Sequence, residues 1–198
     1  MRCSMAAALL ILVCAGSAHA QSPFSFELRG GASIPAEDLG SSPLDAGGGF
    51  SFNVSARLLP HTLMYAGWDW NRLNMQTPLP GADSHIEDTG YVVGLMFRHP
   101  MLNRVDGWAR AGAIYSHMEV ETEDGDALFD SGHELGWEAG GGLFIPVGQR
   151  FALTPGVRYR TFSAGLDEGA GNVDLSYVAL DIGLSYSFGG RQVRTAAR

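Results

Sequence analysis

The chain has 198 residues, and its 21 acidic residues outnumber 13 basic ones, all of them Arg, for a formal net charge of −8. No basic footprint exists to neutralise nucleic-acid phosphates, and the length suits one domain. With 27 Gly and only 17% charged residues, the composition excludes both a helical bundle and an acidic disordered tail.

The first twenty residues read as a signal peptide. Arg2 supplies the positive start, residues 6–15 an apolar stretch, and Ala18-His19-Ala20 a small-x-small cleavage site, so the mature chain is expected from Gln21. Both cysteines, Cys3 and Cys14, fall in this segment, and Val13 does not suit a lipoprotein signal before Cys14. The mature chain then has no disulfide and no Cys metal site.

Beyond Gln21 no apolar run approaches the roughly 18 residues of a spanning helix. Eight segments instead alternate apolar and polar residues: 24–33, 50–58, 64–71, 91–98, 108–116, 134–145, 151–160 and 178–188. The last is the clearest. Val178, Leu180, Ile182, Leu184, Tyr186 and Phe188 point one way and Ala179, Asp181, Gly183, Ser185 and Ser187 the other, the period-2 signature of a strand. Across all eight, the apolar faces hold 39 residues without a charge. The opposite faces hold Glu27, Arg29, Arg57, Asp69, Arg98, Arg110, Glu134, Glu138, Arg158, Arg160 and Asp181. Pro155 cannot donate a ladder hydrogen bond, so a bulge is expected there.

Long connections (35–46, 74–88, 119–132, 163–174) alternate with short ones around 60–61, 100–106 and 146–149. This is the layout of an all-β, eight-stranded antiparallel up-and-down transmembrane β-barrel, with both termini on the short-turn side. A soluble ligand-binding barrel would put its apolar face inside. The polar face here is mostly Gly, Ser and Ala with a few balanced charges, which suits a cramped lumen. The aromatics on the other face, Trp70, Tyr91, Tyr115, Trp137 and Tyr159 at one rim and Phe97, Phe151, Tyr186 and Phe188 at the other, suit two bilayer interfaces.

With these residues assembled, the chain resembles the small outer-membrane β-barrels of the OmpX, Ail and OmpA transmembrane-domain kind, from Phe24 to Phe188. The resemblance implies export to the outer membrane, contact with its lipid and lipopolysaccharide, and a monomer. It also implies that Val178 to Phe188 is the signal read by the barrel-assembly machinery. The family usually stops at the final aromatic residue. This chain continues through residues 189–198, which read as a short basic periplasmic tail or mean that the signal is read internally.

The lumen charges are expected to be structural, arginine forks paired with carboxylates, rather than a proton or ion path. The four long connections hold fifteen acids and no Arg, expected as a solvated acidic rim that draws divalent cations non-specifically, with a divalent-cation or cationic-partner site at the cell surface as the alternative. His85, His117 and His133 lie on that side. His117, Ser131 and Glu119 resemble the trio of lipid A deacylase barrels, but no His here has Ser two places later. Gly140-Gly141-Gly142 permits close packing or a bend. The expectation is a scaffold presenting acidic loops for envelope integrity or surface interaction, without catalytic, metal or cofactor residues. A lipid A-modifying hydrolase, a soluble periplasmic barrel and a narrow ion pore are the alternatives.

Overall fold

The computed structural model describes residues 24–39, 43–75, 84–102, 104–122, 127–165 and 172–188. The expected signal peptide and the 189–198 tail lie outside them. Eight strands follow in order: β1 (Phe24–Pro35), β2 (Leu44–Leu59), β3 (Thr62–Met75), β4 (Ser84–Leu102), β5 (Val105–Thr122), β6 (Ala127–Pro146), β7 (Phe151–Gly165) and β8 (Asn172–Ser187). Each pairs antiparallel with its sequence neighbours, and β1 pairs with β8 to close the barrel.

Alternation decides the inside. Leu95, Ile182 and Leu184 are 54%, 57% and 47% exposed, whereas Asp69 and Arg160 are 0% exposed. The apolar faces therefore form the outer wall and the charged faces the lumen. A soluble barrel with an apolar cavity requires the reverse, and only hydrocarbon accommodates such a wall without penalty. Aromatic rings pair along it. Trp137 and Tyr159 lie 5.3 Å apart toward the long-loop end, and Phe151 and Tyr186 lie 5.1 Å apart at the short-turn end.

Two expectations need correction. Pro155 makes no bulge: it sits in register opposite Ile182, and the β6 register is the same on both sides of it. The β6 ladder lapses only between Gly142↔Gly156 and Ile145↔Leu153, where Pro155 has no N–H to give. The actual register shifts lie elsewhere, at Asp45/Gly48, Arg57/Leu59, Pro100/Leu102, His117/Glu119 and Val120/Glu121. The strands also run well past the predicted segments on the long-loop side. Glu87, Asp88, Glu119, Glu121, Asp130 and Asp174, read as loop acids, stand on strands. Outside the bilayer the outer face turns polar while the lumen face carries Ile86, Met118 and Val120, so the alternation that marks the membrane wall inverts.

Candidate functional site: a layered lumen and a polar outer rim

The lumen is filled in three layers. At the short-turn end, Trp108, Phe144 and Ala152 pack together with Met96 as a floor. Space for the indole comes from glycine: a Cβ on Gly142 would stand 2.8 Å from Trp108 Cζ2, and one on Gly140 would stand 2.9 Å from Arg158 Cγ. Gly140 and Gly142 of the three-glycine run thus make room for lumen side chains. The indole N–H donates to the Leu143 carbonyl at 3.1 Å, and the Arg29 guanidinium lies 5.0 Å from the ring.

Above the floor lies the charged layer. Asp181 accepts from both Arg29 and Arg158, the latter at 2.6 Å. Arg158 Nη1 reaches Asp69 Oδ1 at 2.6 Å, and Arg160 Nη1 lies 2.8 Å from Asp69 Oδ2. Glu138 faces Arg110 at 2.9 Å, Arg160 at 3.5 Å and Arg158 at 3.7 Å, and accepts from the Tyr65 hydroxyl at 2.8 Å. Arg29 also donates to Glu27 at 2.8 Å. All eight charged groups are at most 9% exposed. Burying charge is costly, and forked, multiply bonded pairs are the arrangement that offsets the cost.

The third layer is an apolar cap on the long-loop side. Leu73, Ile86, Met118, Val120, Phe162, Ala164 and Leu175 meet there, all 6% exposed or less.

The structure brings together Glu27, Arg29, Asp69, Arg110, Glu138, Arg158, Arg160 and Asp181. It does not bring in the other three charged residues read from the sequence. Arg57 is exposed and donates to the Pro60 carbonyl at 2.7 Å. Arg98 stands at the short-turn rim, 3.4 Å from Asp106 and over the Phe144 ring at 4.2 Å. Glu134 is half-buried beside Ser116 and has no arginine partner among the described residues. Parity fixes which face a residue takes and says nothing of its depth along the barrel axis. The residues expected to carry an assembly signal, Val178, Leu180, Ile182, Leu184 and Tyr186, follow the outer face of β8 in turn, and Phe188 comes directly after it.

Sequence reading missed Asp88, Tyr65 and Tyr177. Asp88 is 1% exposed, takes the Tyr177 hydroxyl and lies 3.8 Å from Arg160. Continuing the even-numbered parity of β4 from Val92 through Gly90 and Asp88 to Ile86 would have found it.

The outer face above the aromatic rim is different. His85 and Glu87 of β4, His117, Glu119 and Glu121 of β5, and Asp130 and His133 of β6 share it. His117 lies opposite His133, with ring centroids 5.1 Å apart. Its Nε2 is 2.6 Å from Asp130 Oδ1, which also accepts the Gly132 N–H at 2.7 Å. The Gly132 N–H first, and His117 second, hold the Asp130 carboxyl below its ordinary value. Ser131 is turned to the backbone: its hydroxyl donates to the Gly132 carbonyl at 2.8 Å and accepts the Met118 N–H at 3.0 Å. The Ser–His bond of a hydrolase trio does not form among the described residues.

Comparison with known proteins fits this geometry. A search of curated protein sequences found no match. The structure is similar to Neisserial surface protein A, with a TM-score of 0.64 at 16% identity, covering 86% of this chain and 100% of that one. Ail of Yersinia pestis aligns with a TM-score of 0.49 at 14% identity, over 83% of this chain and 99% of its own. Outer membrane protein W of E. coli aligns at 0.47 and 16% identity, over 86% and 100%. A family model, the outer membrane protein beta-barrel domain, matches residues 5–188. An apolar wall around a charge-filled lumen, in a chain matched almost end to end, places this protein in the outer membrane protein beta-barrel domain family.

Proposed function

We propose that the protein is a non-conducting scaffold in the outer membrane. Its working surface is the long-loop side, where strand ends and acidic loops stand beyond the lipid, serving envelope integrity or surface interaction. In this reading the protein is a monomer held among lipid and lipopolysaccharide, and β8 carries the signal for the barrel-assembly machinery. The observation that carries the proposal is the three-layer filling of the lumen. An ion entering would meet an apolar cap, then a layer of arginines paired with carboxylates, then an apolar floor.

Planar-bilayer recording of the refolded chain tests it. The expected record is no different from protein-free membrane. Reproducible single-channel steps that vanish when the protein is omitted would make the lumen a pore. The trace would then be repeated with Trp108→Ala, which opens the floor.

A further inference from the structure

We propose that His85, Glu87 and Glu121 form a site for one divalent transition-metal ion of the zinc class on the outer wall of the barrel, independently of the scaffold role. Antiparallel pairing sets His85 directly opposite Glu121, and Glu87 follows two residues along on the same face of β4. The β4–β5 ladder carries these residues without a register shift between Ser84↔Thr122 and Pro100↔Asp106, so the three donors stand on rigid strands.

His85 Nε2 lies 3.4 Å from Glu87 Oε1 and 3.6 Å from Glu121 Oε2, and all three donor atoms lie within 4.8 Å of one another. Donors bound at about 2.0–2.1 Å around a tetrahedral ion stand roughly 3.3 Å apart. The spacing therefore nearly admits an ion without moving the backbone. The independent sign is His85 itself. It is 4% exposed, and neither ring nitrogen makes a hydrogen bond among the described residues, although Nε2 is aimed between the two carboxylates. A buried imidazole whose ring nitrogens make no hydrogen bond is costly, and a metal ion held with the two glutamates would satisfy Nε2. Glu87 is already oriented, because its Oε2 accepts the Trp70 indole N–H at 2.9 Å. Calcium and magnesium prefer all-oxygen shells, whereas imidazole with carboxylates selects the zinc class. Three protein donors leave a fourth position open. The neighbouring His117, Glu119 and Asp130 group is weaker, because His117 already has Asp130 at hydrogen-bond distance.

The test uses the full chain refolded in detergent micelles and stripped of metal by chelation. Cobalt(II) is followed by visible absorption and zinc(II) by calorimetry. The expected result is saturation at one ion per chain, intense tetrahedral cobalt bands, and no displacement by excess magnesium. Zinc affinity should fall about 100-fold or more in both His85→Gln and Glu121→Gln and stay unchanged in His117→Gln. Gel mobility before and after boiling shows that each variant is folded. If His85→Gln fails to fold, Glu121→Gln and the cobalt spectrum of the unaltered chain still decide. The proposal is overturned by absence of saturable binding, as a protonated His85 merely ion-paired to both glutamates requires. Displacement by magnesium, or loss of binding in His117→Gln alone, overturns it equally.

Discussion

The lumen and the outer rim use the same carboxylates for different ends. Inside, Asp69, Glu138 and Asp181 each meet arginines. On the rim, Glu87, Glu119, Glu121 and Asp130 stand with histidines, and no arginine pairs with them among the described residues. Arginine is a permanent cation with a planar fork, suited to closing a buried space. Histidine offers a neutral ring nitrogen that protons or metals can take. The choice of partner thus separates a buried network of permanent cations from a rim whose histidines can change charge.

The largest effect expected from this contrast is Glu138→Ala, which leaves Arg110, Arg158 and Arg160 short of a carboxylate. Unfolding by urea in micelles should show a loss of about 3–5 kcal/mol. A loss no larger than that of a rim variant would dissolve the distinction. Trp108→Ala should cost about 3 kcal/mol by emptying the floor, read in the same titration. On the lipid side, Leu95→Arg should cost about 2–3 kcal/mol in lipid vesicles, because the position faces hydrocarbon. Arg98→Ala should cost about 1 kcal/mol, less than any change inside the network, since it removes one ion pair to Asp106 and one contact with the Phe144 ring at the short-turn rim.

The smallest expected effect is a pH effect at Asp130. Its carboxyl titrates lower in the folded chain than in the unfolded one. The stabilisation is therefore fully present above the ordinary carboxyl range and is lost as pH falls through the lowered value. Asp130→Asn should flatten only that acidic limb of stability against pH, and an unaltered limb would assign it to other groups.

Within the bilayer the fold was readable because lipid and lumen impose opposite demands on successive residues. The eight segments, the face of each charge and the outward aromatics all follow from that. Above the bilayer the contrast reverses, with Met118 and Val120 inside and His117, Glu119 and Glu121 outside. Glu87-Asp88-Thr89-Gly90 looks like a polar loop, yet Asp88 is an interior carboxylate. Arg57 and Arg98 were placed on the correct face and at the wrong depth, because period 2 carries no axial coordinate. The metal-site geometry depends on cross-strand register, set by the β4–β5 ladder and not by any spacing within one strand.

The seam between β1 and β8 has a consequence for how the barrel comes into being. Phe26 lies opposite Tyr186 and Leu28 opposite Leu184, and Arg29 meets Asp181 across the same seam, 152 residues apart in sequence. These are among the longest-range contacts in the chain. Ordering so long a loop must precede any return from the contact, and folds ruled by distant pairings are slow. Until β8 arrives, Arg29 has no Asp181 and both edge strands offer unpaired backbone to lipid, which lipid cannot solvate. A chain truncated before β8 should therefore yield no half-barrel, only material that aggregates or is degraded, so that the arrival of β8 gates closure of the barrel.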